Sequence, residues 1–334
     1  MKRLISLLLL MATLFSLCAC DTSHTPSTDP SDSGDGSDPT GSGSLTGVTK
    51  LNVMSFNVLG NNSESKETSN GDPVDMRIKR RAPHLNDVLL GEQIDIAGVQ
   101  EMNAVWQSWL EVGLDKAYAY VGTHTAKTGE GGYIIYNKKK LTALKDGVFW
   151  IADGAPSASV VGWDGKYDRI CTWALFQVNQ TSEYLLFMNT HLDHQGTLAR
   201  AYGAKLIVEQ MQQLRATIED TYNVKDCPVV ITGDMNAEPG SAAYSKFTAG
   251  LVDSFHAAPN NPFDEDTSTS PGLYYRTSED AFVVDGHRID YVFISKENIT
   301  ALKYNMLHTA TNLCSYGQFL SDHNAVVVAI SITN

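Results

Sequence analysis

The chain of 334 residues is 43% hydrophobic and 19% charged, with a formal charge of −13. Its length supports a sizeable core. The acidic balance argues against a broad basic surface tuned to a nucleic-acid backbone, although a metal centre would bring positive charge of its own.

Lys2 and Arg3 precede an apolar run over residues 4–17, the pattern of an export signal, expected over 1–19. The run is short for a membrane span. Leu17-Cys18-Ala19-Cys20 resembles a bacterial lipobox, which makes Cys20 the expected lipidated residue; an ordinary secretory signal is the alternative. Residues 20–46 are rich in Ser, Thr, Pro and Gly, carry Asp21, Asp29, Asp32, Asp35 and Asp38, and have almost nothing to bury. Such a segment cannot offset its ordering entropy and is expected to be a solvated tether. Without Lys2 and Arg3 the formal charge goes from −13 to −15, and without the five tether aspartates to about −10.

Residues 47–334 show no second linker or internal repeat and are expected to form one domain. Buried strands are expected over 51–58, 94–100, 133–136, 172–178, 184–190, 229–232, 289–294 and 325–330, where Val, Ile, Leu, Phe and Tyr cluster. Helices are expected over 77–90, 105–110 and 197–220. In the last of these Ala204, Ile207, Val208, Met211, Leu214 and Ile218 recur on one face. Arg77, Lys79, Arg80, Arg81 and the lysines at 138–140 read as solvated faces. Cys171, Cys227 and Cys314 sit in or near apolar runs without paired metal-ligand spacing and read as small buried hydrophobes. Continuous apolar strands imply sheets covered on both faces. The expected fold class is therefore a layered α/β sandwich of two packed mixed β-sheets flanked by helices. Strand ends deliver Asn57, Glu101, His191, Asp234 and Asn236 to one edge of it.

Six polar clusters end apolar runs or stand beside them: Ser55-Phe56-Asn57, Gln100-Glu101, Asn189-Thr190-His191, Gly233-Asp234-Met235-Asn236, Arg288-Ile289-Asp290-Tyr291 and Ser321-Asp322-His323. Singly, each is explained as a turn former or strand terminator. Together they suggest one site, and their carboxylates and amides offer hard oxygen ligands that suit Mg²⁺ or Mn²⁺ better than zinc.

In this order the fragments SFNV, VQE, NTHLDH, GDMNAEP, RIDYVF and SDHNAV resemble the endonuclease/exonuclease/phosphatase superfamily. That family includes deoxyribonuclease I, apurinic endonucleases, neutral sphingomyelinases and inositol polyphosphate phosphatases, and the likeness spans essentially the whole domain. It implies a deoxyribonuclease I-like sandwich that hydrolyses phosphate esters with a divalent metal. The resemblance makes Glu101 and Asp322 the main metal ligands, with Asn57 ligating or lying behind them. It makes Asp234 the residue that orients or deprotonates the attacking water and Asn236 a phosphate contact. His323 is implied to be oriented by Asp290, and His191 to donate to the scissile phosphate with Glu130 as its partner.

Arg169 could clamp a phosphate bidentately or form a surface ion pair. Asp193 and His194 either line the substrate pocket or cap the helix that begins near Thr197. The Cys-Asp-Arg triplet of inositol phosphatases is absent, the matching segment reading Gly286-His287-Arg288-Ile289-Asp290-Tyr291. The expected activity is a phosphodiesterase or nuclease acting outside the cytoplasm on extracellular nucleic acid. A sphingomyelinase-like or phosphomonoesterase activity on lipid or sugar head groups is the first alternative, and a non-catalytic binding module the second. A monomeric domain held to a membrane by the lipid anchor completes the expectation.

Overall fold

In chain order the elements are β1 (Thr49–Asn57), β2 (Lys66–Glu67), β3 (Pro73–Val74), α1 (Ile78–Gly91), β4 (Ile96–Gln100), α2 (Ala104–Gly113), β5 (Tyr118–His124) and β6 (Gly131–Asn137). There follow β7 (Leu141–Trp150), β8 (Ile170–Val178), β9 (Tyr184–His191), α3 (Thr197–Tyr222), β10 (Val229–Asp234), α4 (Ala242–Gly250) and β11 (Leu251–Asp253). The last are α5 (Ser254–Ala257), β12 (Asp290–Ser295), β13 (Ile299–Leu307) and β14 (Ala325–Ile332). This computed structural model describes residues 48–125, 129–274, 282–283, 286–312, 314 and 319–333. The expected export signal, Cys20 and the tether to residue 46 lie outside the described residues. Among the described residues no helix is long and apolar enough to cross a membrane.

Two six-stranded sheets carry the fold, in the orders β13-β14-β1-β4-β6-β5 and β11-β12-β10-β9-β8-β7. Both are mixed: β1 runs parallel to β4 and β9 parallel to β10, while β14 and β12 pair antiparallel to β1 and β10. Leu51, Val53, Ile96, Phe187, Val230 and Val292 pack between the sheets. On the outer face of the first sheet Met54 and Phe56 meet Ala82, Leu85 and Leu89 of α1 and Trp106 and Leu110 of α2. On the outer face of the second, Leu186, Met188, Ile231 and Phe293 meet Ala204, Ile207 and Met211 of α3 and Phe247 of α4. The result is the expected sandwich, helices outside and sheets within. Each fully buried Leu, Ile or Phe contributes roughly 1.5–3 kcal/mol toward holding it.

The two-residue period of the strands positions the site. On β1 the inward-facing Leu51 and Val53 are followed on the same face by Ser55 and Asn57. On β9 Leu185 and Phe187 give way to Asn189 and His191, and on β10 Val230 gives way to Thr232 and Asp234. The space between the sheets thus grades from apolar, through buried neutral groups, to charge at one edge. Asn189 belongs to the middle layer. Its Nδ2 donates to the carbonyls of Val99 and Tyr133, and its Oδ1 accepts from Gln100 and Thr232, so one buried side chain ties β9 to β4 and β6. A side chain at Gly98 would collide with Asn189 and Thr232, so the sheets touch here.

Arg81 departs from the expected solvated basic face. It lies on the apolar stripe of α1 with Ile78, Ala82 and Leu85 and is buried. Its guanidinium donates to the carbonyls of Met76, Val58, Leu320, Leu59 and Asn61 at 2.6–2.9 Å. Five acceptors satisfy all five of its donors. Burial pulls its pKa down to about 10, against the opposing charges of Asp322 and Glu101.

Candidate active site

Sheet register brings three of the polar clusters side by side. Asp234 at the end of β10 pairs with Asp290 on β12 and with His191 on β9. Across the sandwich, Asn57 pairs with Gln100, one residue before Glu101. Glu101 and Asn236 both turn out of their strands with positive φ, +62° and +46°, a conformation that is uncommon outside glycine. Such strain persists where surrounding contacts hold it. Here Gly60 N–H and Asn57 Nδ2 hold the two carboxylate oxygens of Glu101 at 2.8 and 3.0 Å.

Asn57 donates from the same nitrogen to Asp234 at 3.0 Å, and its Oδ1 accepts from Leu59 N–H. It is completely buried, bridging two carboxylates from beneath. The Ser321 hydroxyl donates to the Asn57 carbonyl at 2.6 Å, drawing the loop that carries Asp322 onto the end of β1. Asp322 accepts from Lys66 Nζ at 2.7 Å. Burial would raise its pKa, but the charges of His323 and Lys66 outweigh that and hold the carboxyl below its ordinary value. Glu101 and Asp322 offer a divalent cation oxygen donors alone, with no thiolate or imidazole, and this donor set fits a hard ion. Asp234, Asp290 and His323 also place ligand atoms within 4.8 Å of one another. Their hydrogen bonding, however, is that of an acid–base network.

In that network His323 Nδ1 donates to Asp290 at 2.9 Å, and its Nε2 faces Asp234 at 3.7 Å. Burial opposes a charged imidazole. The carboxylates of Asp290, Asp234 and Asp322 overcome it and hold the His323 pKa well above its ordinary value. Burial and then Asp290 push Asp234 up to about 7. The pairing of His323 with Asp290 is as the sequence implied.

The partner of His191 is not as implied. Glu130 stands 3.9 Å from His191 Nδ1, while the Arg169 guanidinium lies between them, 2.9 Å from Nδ1 and 2.6 Å from the Glu130 carboxylate. An arginine can only donate, so Nδ1 accepts from Arg169. Nε2 faces Asp234 at 3.4 Å, with Asn236 Nδ2 3.0 Å away. Burial first, then the positive charges of Arg169, His323 and His194, keep the His191 pKa well below its ordinary value. Arg169 is therefore neither a surface ion pair nor an open phosphate clamp. It is buried and holds Nδ1 of His191.

Asp193 corrects a second expectation. It is buried, and its carboxylate accepts from the backbone N–H groups of Lys166, Tyr167, Gln195 and Gly196, which leaves it shaping the loop ahead of α3. The first turn of α3 is capped instead by Asp164, which accepts from Leu198 and Ala199 N–H. His194 is exposed and borders an open cleft of about 460 Å³ beside Asn236.

Residues 54–323 match the family model described as the Endonuclease/Exonuclease/phosphatase family. The chain belongs to this family. Among solved structures, an endonuclease/exonuclease/phosphatase family protein from Bacteroides thetaiotaomicron is 25% identical with a TM-score of 0.68, covering 86% of this chain and 96% of its own. A mannosyl-6-phosphatase from the same organism is also 25% identical, with a TM-score of 0.66 and coverage of 84% and 99%. D. rerio TDP2 complexed with single strand DNA product is 17% identical, TM-score 0.57, with coverage of 84% and 99%, and shares the fold. No curated protein matches the chain in sequence.

Within this endonuclease/exonuclease/phosphatase domain the sequence reading assigned no role at the site to Lys66 or Arg81, and placed Asn189 in a polar cluster without a role of its own. Arg81 had a usable signal, since the helical period puts it on an apolar face. Asn189 had one too, as an amide inside an otherwise apolar strand. Nothing in the sequence around Lys66 distinguishes it from a surface lysine.

Proposed function

We propose that this chain is a divalent-metal-dependent hydrolase of phosphate esters that works by direct attack of water. Glu101 and Asp322 would hold the cation, with Asn57 bracing Glu101 and Asp234. Mg²⁺ or Mn²⁺ there would polarise a phosphoryl oxygen and screen developing charge. Asp234, with a pKa near neutrality, takes a proton from the water whose oxygen bonds to phosphorus. The ester oxygen departs with the electrons of the broken P–O bond, and His323, kept as an imidazolium by Asp290, has a proton to give it. His191 offers its Nε2–H to the phosphoryl group. The observation that carries this reading is the setting of two buried histidines around one carboxylate, the Nε2 atoms of His191 and His323 lying 3.4 and 3.7 Å from Asp234 while their Nδ1 atoms meet Arg169 and Asp290 respectively.

The net negative charge favours a small ester over the nucleic acid expected from the sequence, and the likeness to a mannosyl-6-phosphatase supports a monoester. We further propose that residues 1–19 export the protein and that Cys20 anchors it to a bacterial membrane, with residues 20–46 as tether. The test is to incubate the protein with Mg²⁺, Mn²⁺ or chelator and p-nitrophenyl phosphate, bis-p-nitrophenyl phosphate, plasmid DNA, RNA or sphingomyelin. Chelator-sensitive release of phosphate from the monoester is the expected result. Binding without turnover of any of them would make the protein a recognition module, and turnover of DNA or RNA alone would restore the nuclease expectation.

A further inference from the structure

The two sides of the His191 imidazole differ in the space they leave. Toward Glu130 and Arg169, themselves an ion pair, the space among the described residues is about 10 Å³, room for roughly one water. Toward Asn236 lies the open cleft of about 460 Å³, within the roughly 300–1,000 Å³ of small-molecule sites. A substituent on a phosphoryl group held at Asp234, His191 and His323 has room to extend into this cleft. Its walls are the first turn of α3 with Thr197 and Arg200, the approach to α4 with Glu238, and His287 ahead of β12. His194 also lines it, its ring set against Tyr167 at 5.1 Å between centroids.

The chemistry of these walls is mixed. Arg200 donates, Glu238 accepts, and Thr197, His194 and His287 can do either, which suits hydroxyls that must each give and receive a hydrogen bond. Glu238 and His287 are paired across the rim, so the one carboxylate has a local partner while still presenting acceptor oxygens. A polyanionic chain would meet a single arginine here and a glutamate opposite, on a protein of charge −13. We infer that the cleft between α3 and α4 is the leaving-group subsite, and that it selects an uncharged polyhydroxylated ring, as in a sugar monophosphate. This rests on the phosphate-ester hydrolase reading above, and Glu238 and Arg200 become the residues that set specificity.

The test compares kcat/KM on hexose 6-phosphates with kcat/KM on p-nitrophenyl phosphate and on a single-stranded oligonucleotide, in the wild type and in Glu238→Ala, Glu238→Gln and Arg200→Ala. The wild type should prefer the hexose esters, and the free hexose should inhibit p-nitrophenyl phosphate turnover competitively. The variants should lower the ratio of hexose ester to p-nitrophenyl phosphate by about tenfold, the loss of one charge-assisted hydrogen bond. Glu238 is exposed, so its variants should fold even if Arg200→Ala does not. Turnover of p-nitrophenyl phosphate with an unchanged ratio, or a preference for the oligonucleotide, overturns the subsite while leaving the hydrolase intact. No turnover of any ester overturns both.

Discussion

Asn57 on β1 donates its amide to the Asp234 carboxylate on β10 at 3.0 Å, so the floor of the site is a hydrogen bond between the two sheets. Because Asp234 is buried, removing this donor leaves a carboxylate oxygen less satisfied, at a cost of about 1–3 kcal/mol. Asn57→Ala should lose that much stability in urea unfolding. A cycle with Asp234→Ala should show coupling of at least about 0.5 kcal/mol. Additive losses would mean that the bridge carries no energy.

Arg81 holds the strand-end loop with Val58, Leu59 and Asn61 against the loop with Leu320. Arg81→Met strands five carbonyls, and Arg81→Lys offers three donors where five are used. Both should unfold at lower denaturant, the methionine variant by at least about 1–3 kcal/mol, the cost of leaving buried acceptors unsatisfied. A methionine variant as stable as wild type would contradict the clamp.

Lys66 Nζ pairs with the Asp322 carboxylate at 2.7 Å, where it would compete with a cation for that carboxylate, and the pair is partly exposed. Its worth is accordingly small, up to about 1 kcal/mol. Lys66→Met should therefore tighten Mg²⁺ binding by roughly two- to fivefold in calorimetric titration, because a competitor is removed. Weaker binding in the variant would show that the lysine supports the ion instead.

The lowered pKa of His191 predicts a pH dependence with a definite sign. The unfolded imidazole takes a proton near pH 6.5 while the folded one, buried beside Arg169, resists it. The unfolded state then binds more protons, so stability is present above about pH 6.5 and is lost as pH falls below it, by up to about 1.4 kcal/mol per pH unit. His191→Gln should show a shallower fall between about pH 5 and 6.5 in urea unfolding. Parallel curves for variant and wild type would place the proton uptake elsewhere.

The central strands and the residues at their ends were legible because a buried strand writes an unbroken apolar run and its end a polar cluster. What escaped was the periphery. β5, β7, β11 and β13 are the four edges of the two sheets, and water on one side dilutes their pattern: Leu141–Trp150 of β7 has only Leu141 and Phe149 buried. The site shows the same division. Asp290 with His323 followed from the motifs, whereas the insertion of Arg169 between Glu130 and His191 depends on three separate loops and strands meeting, which no local spacing encodes. Asp193 was misplaced because a carboxylate after a histidine reads alike whether it meets ligand or backbone.

The most direct test of the hydrolytic centre is the rate of phosphate release from p-nitrophenyl phosphate as Mg²⁺ is removed with chelator and restored, in the wild type, Asp234→Ala and His323→Ala. Chelator should abolish wild-type release and added Mg²⁺ restore it, with each variant slower by roughly two to four orders of magnitude at saturating metal. Release that survives the chelator, or an Asp234→Ala protein working at the wild-type rate, would contradict it.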